Sequence, residues 1–214
     1  MFTHYLLRLG LSDRADIAID DLRVFENPCI ITPADADPSL VPMTTPSTTR
    51  QTTLPPGPND CTFEQGICNG WENMEGNRFN WTHIQGAVSA IPRKLPLSYV
   101  LMCSLTSAFD HLETDHTTGT SAGYFMFADL TNRQANDYAR LKSGLLSDVQ
   151  CMTFYYHLYG HGATLNLYMA IGTSLGIPLW TRTGTQGDVW RFARMTTTKN
   201  NANIVFEGNF QIEF

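Results

Sequence analysis

The residues able to do chemistry sit at a few telling spacings. Cys61-Thr62-Phe63-Glu64-Gln65-Gly66-Ile67-Cys68 places two thiols around a short glycine-containing run, with Gly70-Trp71 just beyond. Cysteines so closely spaced read as a short disulfide loop in an oxidising compartment. Zinc is the weaker reading, because no Cys-x-x-Cys pair or second ligand cluster accompanies them. Asn80-Trp81-Thr82 is an acceptor sequence for N-linked glycosylation. His157 and His161 have the separation of two metal ligands on a helix, but Gly160 and Gly162 exclude that helix. His157 therefore reads as a core histidine beside Phe154, Tyr155 and Tyr156. No Gly-x-Ser-x-Gly elbow, His-Glu-x-x-His pair or phosphate-cradling glycine loop is present, so the chain reads as a recognition module and not an enzyme.

Composition narrows the class further. Fourteen Lys and Arg against twenty Asp and Glu leave a net charge of -6, with only 16% of residues charged. That balance argues against nucleic acid, whose phosphates require clustered cations. Five cysteines, Cys29, Cys61, Cys68, Cys103 and Cys151, are an odd number for an oxidising compartment. The surplus implies a free thiol, an intermolecular bridge or a missing partner. No export signal and no membrane-length apolar run is visible, so the chain is expected to be a piece of a larger surface or secreted protein, tied to a membrane only through flanking regions.

The elements that must position these groups are strands. Residues 123–128, 151–158, 164–169, 179–183, 189–195 and 203–207 are short, rich in aromatic and aliphatic side chains, and divided by turns such as Gly160-His161-Gly162 and Gly184-Thr185-Gln186-Gly187-Asp188. Gly172-Thr173-Ser174-Leu175-Gly176 has the composition of a hairpin turn. Trp71, Trp81, Trp180 and Trp190 read as core anchors. Many short strands at regular spacing predict an all-β fold, an antiparallel β-sandwich or jelly roll. A further strand lies at the front. Ile17 and Ile19 share one face, Leu22 and Val24 the opposite parity, and the switch at Asp20-Asp21 predicts a β-bulge that turns a carboxylate sideways. Residues 30–60 are rich in Thr and Pro and read as a solvated linker. Residues 92–112 are apolar, contain Cys103 and interrupt the strand pattern as an insert.

In combination the motifs resemble the MAM domain, the extracellular module of meprins, neuropilins and mu-type receptor tyrosine phosphatases. The likeness is carried by Cys61-Thr62-Phe63-Glu64 through Cys68-Asn69-Gly70-Trp71, Phe79-Asn80-Trp81-Thr82, Asp115-His116-Thr117-Thr118-Gly119-Thr120, Gly123-Tyr124-Phe125-Met126, Ala139-Arg140-Leu141-Lys142-Ser143, Cys151-Met152-Thr153-Phe154-Tyr155-Tyr156-His157, Gly187-Asp188-Val189-Trp190 and Ile204-Val205-Phe206-Glu207-Gly208. The family's closing strand and last cysteine are absent after Gly208, yet Asp16-Ile17-Ala18-Ile19-Asp20-Asp21-Leu22 through Cys29 has that closing pattern at the front.

The resemblance implies a tandem array: 1–29 closes a preceding domain, 30–60 links, and 61–214 is a MAM domain lacking its last strand. It also implies that residues 16–25 can complete this sandwich as in a circular permutant, since thirty extended residues reach far at about 3.3 Å each. Cys29 would then lie near Cys151, the family's usual partner of the closing cysteine. Glu64, Asp115, Asp20 and Asp21 are the residues the resemblance suggests for a structural Ca²⁺ or Na⁺; no cofactor is otherwise required. The implied function is non-catalytic cell adhesion through an extracellular protein partner, self-association included. The alternatives are a carbohydrate-binding jelly roll and a non-catalytic module of a secreted metalloprotease.

Overall fold

The computed structural model describes residues 15–25, 27–38, 60–86, 112, 114–146, 150–197 and 201–211. Ten strands form two antiparallel five-stranded sheets. They are β1 (Asp16–Phe25), β2 (Glu72–Asn73), β3 (Thr82–Gln85), β4 (Tyr124–Asp129), β5 (Tyr138–Leu146), β6 (Cys151–Tyr159), β7 (Ala163–Ala170), β8 (Trp180–Thr183), β9 (Arg191–Thr196) and β10 (Ala202–Phe210). One sheet runs β3-β4-β1-β6-β9 and the other β2-β5-β10-β7-β8. The all-β sandwich expected from the strand pattern is the fold, and no α-helix occurs among the described residues.

Alternation explains which face each strand buries. In β7, Leu165 and Leu167 enter the core, while Thr164, Asn166 and Tyr168 occupy the outer side. In β5, Ala139 and Leu141 point inward and Tyr138, Arg140 and Lys142 take the other face. Trp180 is the centre of the core. Its ring meets Phe154 at 5.2 Å and Tyr156 at 5.1 Å, both edge-on. Phe154 in turn meets Phe206 of the opposite sheet at 5.1 Å, so edge-to-face aromatic contacts join the two layers. Trp71, Trp81 and Trp180 are buried, whereas Trp190 is half-buried.

The front strand occupies the middle of its sheet. β1 pairs with β4 on one side and β6 on the other, from Asp16↔Asp129 and Asp16↔Tyr159 onward. The register slips between Asp20 and Arg23, and Asp21 adopts φ 49. Aspartate tolerates this left-handed conformation better than most residues, so the slip falls where the sequence can accept it. After the bulge, Leu22 exchanges both backbone hydrogen bonds with Cys61 at 2.8 Å. Cys29 is bonded to Cys151, with Cα atoms 5.3 Å apart, and Cys61 to Cys68, at 5.8 Å.

The structure departs from the sequence reading at the start of the linker. Residues 30–38, assigned to a solvated linker by their composition, lie on the sandwich. Thr32 pairs with Arg194 in both directions, at 2.9 and 3.0 Å, which covers the edge of β9. The short 3-10 turn Ala34–Ala36 buries Ala36 completely. Asp35 pairs with Arg182 at 2.5 Å, and the Trp180 indole donates to the Thr32 carbonyl at 3.2 Å. An exposed edge strand offers unpaired backbone groups, and this segment supplies their partners. Positions 39–59 lie outside the described residues, as does the proposed insert at 92–112 apart from Leu112; Cys103 is therefore outside them too. Leu112 is buried against Ala18, Phe125 and Phe127 on the outer face of the first sheet.

Candidate functional site

The polar corner beside the β1 bulge gathers every carboxylate singled out above. The bulge places Asp20 and Asp21 opposite the loop Asp115-His116-Thr117-Thr118-Gly119-Thr120. Asp20 accepts hydrogen bonds from the backbone N–H of Asp21 at 2.7 Å, His116 at 2.9 Å and Thr117 at 3.2 Å. Asp21 accepts from the Thr117 hydroxyl at 2.9 Å and pairs with His116 Nδ1 at 2.5 Å. The His116 ring lies flat on Tyr155, with centroids 3.3 Å apart, and edge-on to Trp190 at 6.3 Å. The Trp190 indole donates to the Thr114 carbonyl at 2.8 Å, which ties the loop's start to the β9 side of the sheet.

Asp115 organises the loop from inside. Its carboxylate accepts from the Thr118 backbone and hydroxyl, both at 2.6 Å, and from the Thr120 N–H at 3.1 Å. Glu64 accepts from Tyr124 N–H at 3.0 Å. Gly123 makes the arrangement possible, because a Cβ there would run into the Asp115 carboxyl group.

These contacts divide the carboxylates electrostatically. Burial, reinforced by the charge of Asp21, pushes Asp20 from an ordinary 3.8 up to about 7, against the opposing pull of the three N–H donors. Burial also works against the Asp115 charge, but hydrogen bonds from Thr118 and Thr120 and contact with Glu64 outweigh it and hold that carboxyl below its usual range. Tyr155 is pushed up by burial and then by Asp21.

A pH dependence follows, with a defined sign. Near pH 5 the unfolded chain has released the Asp20 proton and the folded chain retains it. Stability should therefore fall as pH rises from 5 to 7, by about 2 kcal/mol. Asp115 acts in a separate window, since its depressed value adds stability that is lost only as pH falls below about 4. Urea denaturation at pH 5, 6, 7 and 8 in EDTA measures the first effect, and Asp20→Asn should flatten it. Stability that climbs across that range would contradict the assignment.

The four carboxylates meet in one corner but do not converge on a point. Their oxygens are the hard donors that Ca²⁺ or Na⁺ takes, yet each carboxylate is already engaged by N–H, hydroxyl or side-chain partners. Among the described residues, no group of three or more His, Cys, Asp or Glu side chains is placed to hold a metal ion. His116, Tyr155 and Trp190 complete the corner and were not identified as site residues from sequence. Only the Asp115-His116-Thr117 motif hinted at them, because the packing joins positions far apart in the chain.

The remaining candidates lie elsewhere. His157 is wholly buried, with Nε2 3.0 Å from Asp188 Oδ1 and Nδ1 3.5 Å from Asp16 Oδ1, while His161 is exposed in the turn. Asn80 is exposed two residues before β3, and its Oδ1 accepts from Asn77 Nδ2 at 3.2 Å.

A two-sheet antiparallel sandwich with a disulfide loop at Cys61–Cys68 and a second disulfide holding the front strand defines the structural class. The family model for the MAM domain, meprin/A5/mu, matches residues 61–213, and the chain belongs to that family. It is 35% identical over 161 residues to thyroid hormone-induced protein B of Xenopus laevis, covering 72% of this chain and 20% of that protein. It is 32% identical over 160 residues to human MAM domain-containing protein 2, with the same coverage of 72% and 20%. Neuropilin-1a of Danio rerio is 38% identical over 95 residues, 41% of this chain and 10% of the relative. The chain thus spans about a fifth of the length of the first two relatives.

Proposed function

We propose that this chain is a non-catalytic adhesion and protein-interaction module of the cell surface, one unit of a larger MAM-containing protein. The observation that carries the reading is a MAM sandwich closed by two disulfides, a form of stabilisation suited to an oxidising, extracellular compartment. Relatives that include a neuropilin and a MAM domain-containing glycosylphosphatidylinositol anchor protein of Mus musculus support it. In this reading 61–214 is one repeat lacking its own last strand, 1–29 has the sequence of a preceding repeat's closing piece and fills that place in this sandwich, and Asn80 carries an N-linked glycan. The partner is an extracellular protein, a second copy of the chain included.

Cells displaying the chain on a lipid anchor test the function. In suspension they should cluster with one another or with undecorated cells, and soluble chain should compete. Displaying cells that remain single in both mixtures would remove the adhesive reading.

The carboxylate corner belongs to the same proposal as the place where a hard cation would settle. The burial of the two adjacent carboxyl groups of Asp20 and Asp21 supports it, and they would have to exchange some present partners for the ion. Millimolar Ca²⁺ should raise the melting temperature above its value in EDTA, and Asp20→Asn should abolish the rise. Identical melting in Ca²⁺ and EDTA would exclude the cation.

A further inference from the structure

The outer face of the second sheet carries a polar lattice that adhesion alone does not account for. Its central member is Glu207 of β10, only 5% exposed although it lies on the side away from the core. Arg140 Nε donates to it at 2.6 Å, Tyr168 OH at 3.1 Å and Asn166 Nδ2 at 3.3 Å. The register aligns these positions, since Glu207 pairs with Arg140 on β5 and Asn166 on β7. Arg140 and Glu207 cancel in charge. The Arg140 guanidinium also lies over the Tyr138 ring, 4.1 Å from its centre, a half-exposed stack at the side of the face nearest β2.

The loop that carries the glycosylation sequon lies against the strand that bears this stack. Asn77 holds the β5 backbone at Arg140 from both sides, accepting from its N–H at 2.9 Å and donating to its carbonyl at 3.0 Å. The same Asn77 amide donates to Asn80 Oδ1 at 3.2 Å. Tyr138 OH donates to the Gly76 carbonyl at 3.2 Å, which fixes its ring against the same loop. Asn80 is thus linked through Asn77 to the backbone of Arg140, the residue whose side chain forms the stack. Modification leaves this geometry intact. The Asn80 amide nitrogen displaces the diphosphate of a lipid-linked oligosaccharide from the anomeric carbon and loses one of its two protons, so Oδ1 remains an acceptor for Asn77.

We infer that the N-linked glycan of Asn80 folds back onto the protein and packs its first N-acetylglucosamine residues across Tyr138 and Arg140 toward Glu207. The inference rests on the reading of Asn80 as glycosylated and adds what the glycan does there. The chemistry matches a neutral sugar. An aromatic ring accepts the apolar C–H face of a pyranose, and the arginine and amide groups suit its hydroxyl and acetamido groups. Strands lie about 4.8 Å apart, so β5, β10 and β7 span about 10 Å, within reach of the glycan's chitobiose core and first mannose.

The full chain, secreted from glycosylating cells, decides the matter. Mass spectrometry first reads occupancy, and an unmodified Asn80 overturns both the sequon reading and the packing. With Asn80 occupied, the protein should melt about 3 °C above Asn80→Gln. That increment should disappear in Tyr138→Ala and survive in Tyr138→Phe. Nuclear Overhauser contacts should connect the sugar's N-acetyl methyl group to the Tyr138 ring. An increment of equal size in Tyr138→Ala, or an occupied glycan without those contacts, overturns the packing and leaves the sequon reading standing.

Discussion

A chain that begins at residue 39 should lose cooperative unfolding altogether. It should bind hydrophobic dyes and give poorly dispersed amide spectra, because it lacks the central strand of one sheet. β1 is hydrogen-bonded on both sides, so its removal leaves β4 and β6 as facing edges with no partner between them. It also removes Ile17, Ile19 and Leu22, each 0% exposed. At about 1.5–3 kcal/mol for each buried side chain, their loss alone approaches the roughly 5–15 kcal/mol by which a domain is stable. A peptide covering residues 15–38, added separately, should restore part of the ordered spectrum. A sharp, reversible melting transition in the truncated chain would show that the sandwich closes without its front strand.

The second large effect concerns the two cross-links, which should differ about twofold. Cys29–Cys151 closes 122 residues and Cys61–Cys68 closes seven. Restriction of the unfolded chain grows with the logarithm of loop length, which gives about 5 kcal/mol for the long loop and about 2.5 for the short one. Replacing Cys29 and Cys151 together by serine should therefore lower the urea midpoint about twice as far as replacing Cys61 and Cys68. Equal losses, or a larger one for the short loop, would mean that the bonds act through native contacts and not through the unfolded chain.

The sequence revealed strands wherever a single chemical pattern ran long enough to be seen. β7 alternates over its full length, and the parity change at Asp20-Asp21 marked the bulge because one buried face cannot survive it without an extra residue. β10 extends to Phe210, beyond the expected 203–207, because Gly208 and Asn209 look like turn residues. Gly208 is a strand residue for a packing reason, since Ile17, Ala128 and Trp81 approach within 3.1–3.4 Å of where its Cβ would stand. β2 and β3 are too short to show a period. The packing of 30–38 was hidden by its prolines, which signal extended chain equally well on a sheet edge and in solvent. At the carboxylate corner the acidic residues were visible one by one. The stack of His116 on Tyr155 was not, because it depends on how two sheet-borne segments meet.

The covalent tie at Cys29 also bears on how this module responds to mechanical load. Tension applied upstream of Asp16 pulls β1 lengthwise against two ladders at once, so its hydrogen bonds resist in shear and not one after another. Tension that passes the end of β1 meets the sulfur bridge to β6 four residues later, at Cys29. Because that bridge bypasses 122 residues, a stretched molecule keeps about 400 Å of chain in reserve, released only when the thiols are reduced.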